Sequence, residues 1–143
     1  MSTLTRAIEI AAVAHKNQVD KGGAPYIDHV LRVMQAVEGD DAKIVAVLHD
    51  VLEDCAAFTL DYFKSEGFSQ EILVALAHIT KTPFDDYEGF IRRVGRNRLA
   101  TIVKLADLAD NADLTRLRRE ATPQDIKRNQ KYYAAIDYLE QLW

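Results

Sequence analysis

The chain has 143 residues, of which 48% are hydrophobic, and this size and composition predict one domain around a single core. Its formal net charge of −4 argues against a general nucleic-acid binder. No window reaches the ~20 consecutive apolar residues of a membrane span, the first residues lack a signal-peptide pattern, and the lone Cys55 cannot form an internal disulfide. We therefore expect a cytoplasmic protein that binds neither nucleic acid nor membranes.

Helical periodicity marks the first part of the chain. Apolar residues recur at helical spacing over residues 4–15 and again over residues 27–37. Between them, residues 21–25 contain two glycines and a proline, which are typical of a turn. We expect two amphipathic helices joined by this turn.

The next segment is apolar without a break over residues 44–48. A run this short would also suit a β-strand, but helical neighbours and the helix-favouring Ala42 and Ala46 predict a buried central helix. Asp40 and Asp41 are its candidate N-caps.

Further helices follow down to the end of the chain. Residues 98–108 have the pattern of another core helix, and the last helix is predicted over residues 123–142, because Thr122-Pro123 is a good start signal. The other predicted caps and stops are Thr59, Ser69, Asp85 or Asp86, Gly67 and Gly95. We expect an all-α fold, a single compact bundle of about seven to nine helices with no sheet.

Polar side chains interrupt the end of the buried central helix. His49, Asp50, Glu53 and Asp54 follow the apolar run, and residues three or four apart share one helix face. Burying such groups without partners costs several kcal/mol. Two of them could bind a metal ion while the other two act as acid and base.

The His49-Asp50 doublet alone is weak evidence, because a lone buried histidine is more often a hydrogen-bonded core residue. Two further signals strengthen it. His29 follows the 21–25 turn, and Asp107 lies on the predicted core helix 98–108. Together these residues predict a metal centre.

The same residues form ordered motifs that resemble the HD-domain hydrolases. The closest resemblance is to the hydrolase domain of RelA/SpoT enzymes and to the stand-alone small alarmone hydrolases. The motifs are His15-x-x-Gln18-x-x-Lys21-x-Gly23-x-Pro25-Tyr26-x-x-His29, Leu48-His49-Asp50-Val51-x-Glu53-Asp54, Ile79-Thr80-Lys81 and Val103-Lys104-Leu105-Ala106-Asp107-x-x-x-Asn111. The resemblance covers nearly the whole chain and implies a single HD-type hydrolase domain over residues 1–143.

The resemblance implies that His29, His49, Asp50 and Asp107 are the metal ligands and that the metal is Mn(II). Two imidazoles and two carboxylates also suit an octahedral divalent ion with open positions for water and phosphate. Zinc, iron, cobalt and magnesium remain alternatives.

Glu53 and Asp54 match the acidic pair of the family, which orients or deprotonates the attacking water. The substrate-binding positions implied by the resemblance are Lys21, Lys81, Lys104, Asn111, Arg128 and Tyr132. For Lys81, Lys104 and Arg128, a solvated surface role stays open.

The sequence departs from the family pattern beside the turn. Asp20 stands where the family commonly has an arginine that stacks on the purine base, and a carboxylate cannot offer the flat cationic face of a guanidinium group. Val30 replaces a proline after His29, and Asp110 replaces an aromatic residue or histidine before Asn111. The substrate base, guanine or adenine, is therefore left open.

The resemblance implies a hydrolase that removes the 3′-pyrophosphate from a stringent-response alarmone such as (p)ppGpp or (p)ppApp. Its partner would be a phosphorylated nucleotide. Two alternatives remain: an HD-type phosphatase acting on a nucleotide phosphomonoester, and a non-catalytic nucleotide-binding regulator.

Overall fold

The computed structural model describes residues 2–117 and 119–143. Over these residues the chain forms eight α-helices and one short 3₁₀ helix. In chain order they are α1 (Leu4–Ala14), α2 (Tyr26–Gln35), α3 (Asp40–Asp54), α4 (Leu60–Ser65), α5 (Gln70–Ile79), α6 (Tyr87–Val94), α7 (Arg98–Asn111), the 3₁₀ helix (Leu114–Arg116) and α8 (Pro123–Glu140). No β-strand occurs in this part of the chain, where Val19 and Pro25 form an isolated bridge. The predicted all-α bundle is confirmed.

Most helix starts follow the predicted capping chemistry. The side chains of Thr59, Ser69, Asp86 and Thr122 each accept a hydrogen bond from a backbone N–H in the first turn of their helices. Thr122 also forms a capping box with Asp125, whose side chain bonds the N-cap backbone in return. Local sequence alone therefore determines where these helices begin.

The start of α3 differs from the prediction. Asp40 and Asp41 are not its N-caps, because they lie inside the first turn and Gly39 takes the N-cap position with φ of 90°. A side-chain cap is not needed to favour this start, since two carboxylates in the first turn interact well with the positive end of the helix dipole.

Helix α3 is the centre of the bundle. Every residue from Ile44 to Val51 is buried, and α3 packs against α1, α2, α5 and α7. The prediction of a buried helix over 44–48 is confirmed. Helices α2 and α7 both contact α3, so their side chains can meet the polar groups His49 and Asp50 within its buried stretch.

Among the described helices, none combines the length and the apolar character needed to cross a membrane.

Candidate metal centre and adjacent cavity

Four buried side chains from three helices converge at the centre of the bundle. His29 comes from α2, His49 and Asp50 from α3, and Asp107 from α7. One nitrogen or oxygen atom from each lies within 4.8 Å of the corresponding atoms of the others. All four predicted ligands are therefore brought together.

The outer ring nitrogens of both histidines are already engaged. His29 Nδ1 lies 2.5 Å from Asp110 Oδ2, and His49 Nδ1 lies 2.7 Å from the backbone carbonyl oxygen of Ala46. A carbonyl or carboxylate at Nδ1 requires N–H there and directs Nε2 inward as the available lone pair. Both imidazoles are thus oriented for ligation through Nε2.

The Asp107 carboxylate lies between the two inward nitrogens. Its Oδ1 is 2.9 Å from His29 Nε2 and 3.4 Å from His49 Nε2. Its Oδ2 accepts a hydrogen bond of 2.9 Å from Lys104 Nζ. Lys104 therefore holds the carboxylate in place and leaves the other oxygen at the centre of the cluster.

Asp50 completes the set on the α3 side. Its Oδ1 lies 3.3 Å from His49 Nε2, and its Oδ2 accepts a hydrogen bond of 2.6 Å from the Tyr26 hydroxyl. The Tyr26 ring also packs against His29, with 5.3 Å between centroids. Tyr26 thus fixes one predicted ligand, Asp50, by a hydrogen bond and another, His29, by packing.

The charges of the cluster are coupled. Burial lowers the pKa of His29, but hydrogen bonds to Asp107 and Asp110 outweigh it and raise the value to about 9. Burial opposes the charged form of His49 too, and the charge of Asp50 with the hydrogen bond to Asp107 raises its pKa to about 9. Burial favours the neutral form of Asp107, yet Lys104 and the two imidazoles hold its pKa well below the usual range.

This donor set fits a divalent ion. Two imidazole nitrogens and two carboxylate oxygens are a mixed set suited to divalent transition metals, and protons on the imidazoles balance the carboxylates when no metal is bound. The cluster could hold a metal ion, which would replace those protons.

Glu53 and Asp54 lie one turn further along α3, at the solvent side of the cluster. Glu53 Oε1 accepts a hydrogen bond of 2.7 Å from the backbone N–H of Lys81, and Asp54 Oδ2 accepts one of 3.1 Å from Gln18 Nε2. Burial raises the pKa of both carboxyl groups. Each acid therefore has one oxygen anchored and an increased tendency to take up a proton.

A cavity of 410 Å³ opens beside the metal centre. Four of the six predicted substrate-binding residues line it, and His29 forms part of its wall; these four are Lys21, Asn111, Arg128 and Tyr132. The remaining two are placed elsewhere: Lys104 pairs with Asp107 and Lys81 is exposed beside Glu53.

Asp20 has a defined role at the cavity wall. Its Oδ1 accepts hydrogen bonds from the backbone N–H groups of Gly22 and Ala24, which fixes the turn. Its Oδ2 lies 3.2 Å from Arg116 Nη1, and Arg116 also lines the cavity. A guanidinium group from another part of the chain therefore lies beside position 20.

Several of these contacts were not predicted as site contacts. Asp110 lies three residues after Asp107 on the same helix face, and Tyr26 lies three before His29, so helical spacing could have found both. Arg116 carries no such signal, because Asp20 is distant in sequence and its other partner, Asp110, lies six residues earlier, outside helical spacing.

No family model matches the chain. The chain is 29% identical, over 98% of its length, to the guanosine-3′,5′-bis(diphosphate) 3′-pyrophosphohydrolase of Aquifex aeolicus. It is 30% identical over 71% of its length to the protein of that name from Haemophilus influenzae, and 29% identical over 78% to a probable GTP pyrophosphokinase of Mycobacterium leprae. It spans 22%, 17% and 16% of the lengths of these relatives, respectively. The similarity supports a distant relationship to pyrophosphohydrolases.

Proposed function

We propose that this protein is an HD-type, metal-dependent phosphohydrolase that removes the 3′-pyrophosphate from a nucleotide alarmone such as ppGpp or ppApp. The observation that carries the proposal is the convergence of four buried ligand groups within 4.8 Å at the wall of a cavity lined by cationic side chains. The names of the A. aeolicus and H. influenzae relatives support the reaction class.

Mn(II) is the proposed metal, held by His29, His49, Asp50 and Asp107. When bound, a divalent ion would lower the pKa of a water molecule and neutralise charge on the phosphate. Zinc, iron, cobalt and magnesium are the ions to compare with it, because affinity and availability together decide occupancy.

Glu53 and Asp54 are the proposed acid–base pair. The anchored Oε1 of Glu53 fixes the carboxylate against the Lys81 backbone, so Oε2 is the atom that takes a proton from the attacking water. Burial raises the pKa of Glu53 and therefore strengthens it as a base. Gln18 holds Asp54 through the amide nitrogen, while its amide oxygen lies 2.8 Å from His15 Nδ1.

The nucleotide is proposed to lie in the 410 Å³ cavity. Lys21 and Arg128 carry the positive charge that would bind its phosphates there. Tyr132 offers an aromatic surface to the nucleotide, and Asn111 offers an amide group. Lys104 is proposed to neutralise charge near Asp107, and Lys81 to contact the phosphate beside Glu53.

A nucleotide panel with Mn(II) tests the proposal. ppGpp, ppApp and the matching nucleoside 5′-monophosphates are incubated with the protein while pyrophosphate and orthophosphate are measured separately. We expect pyrophosphate from the 3′-pyrophosphorylated nucleotides and no orthophosphate from the monophosphates. Orthophosphate release alone would indicate a phosphomonoesterase. Nucleotide binding without turnover would indicate a regulator.

A further inference from the structure

Lys131 lies beside Tyr132, a residue of the cavity wall, although no motif in the sequence marks it. It is on α8, and its Nζ is 4.3 Å from the centroid of the Tyr87 ring on α6. The ring of Tyr132 is 5.8 Å from the same atom. An aromatic face attracts a cation that lies over it. The two rings thus help to fix the position of the Lys131 ammonium.

Tyr87 is placed to support this ammonium. Its hydroxyl oxygen is buried and has no hydrogen-bond partner among the residues that the structure describes, so hydrogen bonding does not explain its position. Its ring packs edge-on against Phe90 with 6.3 Å between centroids, and Lys104 Nζ lies 5.1 Å from the Phe90 centroid. The Tyr87 and Phe90 rings therefore each lie next to a lysine ammonium, Lys131 at Tyr87 and Lys104 at Phe90.

Not all of the cations near Lys131 are paired with a carboxylate. Lys104 pairs with Asp107 and Arg128 pairs with Asp125. In residues 2–117 and 119–143, no carboxylate oxygen lies within the 4.0 Å of an ion pair from the ammonium of Lys131 or of Lys81.

Like charges surround Lys131. Burial, and then the charges of Arg128, Lys104 and Lys81, lower the pKa of Lys131. Because Lys131 and Lys81 add positive charge that no ion pair balances among the described residues, this region attracts an anionic ligand.

The position of these cations relates them to the reacting phosphate. Arg128 lines the cavity, Lys131 follows one helical turn later on α8, and the backbone of Lys81 bonds to Glu53. The charges of Arg128, Lys104 and Lys81 all act on Lys131, so positive charge extends from the cavity toward Lys104, which pairs with Asp107, and toward Lys81. A phosphate chain that starts at the metal centre can extend along this path.

We propose that Lys131, supported by the Tyr87 ring and acting with Lys81, binds the distal phosphate of a diphosphate group and so selects diphosphate over monophosphate. The proposal rests on the proposed function and sharpens it. In that reaction a water oxygen bonds to the proximal phosphorus, the bond from that phosphorus to the 3′ oxygen breaks, and the 3′ oxygen takes a proton. Lys131 takes no part in these bond changes and is a positioning residue.

Calorimetric titration of the Mn(II)-loaded protein with inorganic pyrophosphate and with orthophosphate tests this proposal. We expect Lys131→Gln to weaken pyrophosphate binding by about tenfold, the size of one charge-assisted hydrogen bond, and orthophosphate binding by less than about twofold, since orthophosphate stays at the metal. Lys131→Arg should restore most of the selectivity. The matched control is Lys127→Gln, which removes an exposed cation one turn earlier on α8 and should change neither affinity.

The tyrosine provides a second test. Tyr87→Phe keeps the ring beneath the ammonium and should leave pyrophosphate binding unchanged. Tyr87→Leu removes the ring and should weaken pyrophosphate binding by about threefold, as expected for an exposed cation–π contact. Equal effects of both substitutions on pyrophosphate binding would show that the Tyr87 ring does not support the Lys131 ammonium.

Unchanged pyrophosphate binding in Lys131→Gln, or an equal loss in Lys127→Gln, would overturn the proposal. So would equal losses for pyrophosphate and orthophosphate. Failure of the proposed function is seen separately: the wild-type protein would then bind pyrophosphate selectively through Lys131 but release none from ppGpp or ppApp.

Discussion

Two aspartates are buried to nearly the same degree, Asp125 at 2% exposure and Asp107 at 3%, yet their surroundings differ. Asp125 accepts hydrogen bonds from the backbone and hydroxyl of Thr122 and from the guanidinium groups of Arg119 and Arg128. All of these donors come from residues 119–128, close in sequence. The Asp125 charge is therefore balanced locally by permanent cations, which hold its pKa below the usual range.

Asp107 is balanced differently. Lys104 satisfies one oxygen, while the other faces two imidazole nitrogens from different helices, with Asp50 beside them. The imidazoles balance this second charge only while they hold protons. Burial of an acid alone thus does not identify a metal site. A buried acid whose charge is balanced by protonated imidazoles does, because a metal ion can replace those protons.

The largest effect is expected on catalytic activity, where substitution of Asp107 and of Asp125 should have different consequences. Asp107→Asn removes a proposed ligand and should lower pyrophosphate release from ppGpp or ppApp by about 10³-fold or more, because the reaction depends on the metal. Helicity, followed by circular dichroism, should stay near the wild-type value. Turnover within about tenfold of wild type would contradict the assignment of Asp107.

The matched control is Asp125→Asn. Loss of its charge leaves Arg119 and Arg128 without their partner and weakens the capping box of α8, so we expect thermal unfolding on the order of 5 °C lower. The variant should still turn over the nucleotide. If Asp125→Asn abolished turnover while Asp107→Asn did not, the comparison would be reversed.

Glu53→Gln is expected to lower the rate by about 10²–10⁴-fold with the metal still bound, since an amide cannot take up the proton. The measurement is single-turnover hydrolysis with the metal content determined on the same sample. Glu71→Gln changes an exposed residue in the first turn of α5; this variant is the control and should react at the wild-type rate. An unchanged rate in Glu53→Gln would remove this residue from the mechanism.

The next prediction concerns pH. The pKa of His29 and of His49 is raised from 6.5 to about 9 without metal, so their protonation stabilises the metal-free fold below pH 6.5 and this contribution is lost as pH rises through 9. Mn(II) requires the neutral imidazoles, so the thermal shift produced by Mn(II) should grow over the same range. Thermal unfolding at pH 6 to 9, with a chelator or with Mn(II), measures both trends. A pH-independent Mn(II) shift would disagree with this coupling.

The smallest effect is expected at Asp20. Asp20→Asn keeps an oxygen for the backbone N–H groups of Gly22 and Ala24. It removes one of the two carboxylate charges that hold Arg116, the other being that of Asp110. A partly exposed ion pair contributes at most about 1 kcal/mol, so we expect KM to rise by up to about fivefold. Comparison of ppGpp with ppApp in this variant shows whether Arg116 contributes to base preference; identical KM values in wild type and variant would exclude it.

The sequence predicts best what depends on neighbouring residues. Caps at Thr59, Ser69 and Thr122 need only the first turn of each helix, whereas the start of α3 was misassigned because Gly39 competes with two following acids. The motif residues of the metal centre also lie together in the structure.

Contacts between distant residues were beyond sequence reasoning. The contacts of Arg116 with Asp20 and of Lys131 with the Tyr87 ring depend on how α8 and the 3₁₀ helix pack against the rest of the bundle. No local pattern encodes that packing. The motifs therefore did not indicate two cations, Arg116 in the cavity wall and Lys131 beside the cavity.

Metal content after purification in Mn(II) tests the central claim most directly. Wild type, Asp107→Asn and Asp125→Asn are desalted, and the metal bound per chain is determined by elemental analysis together with the helicity of each sample. We predict one metal ion per chain in wild type and in Asp125→Asn, and less than about a tenth of that in Asp107→Asn at unchanged helicity. One full equivalent of metal in Asp107→Asn would contradict the assignment of this cluster as the metal centre.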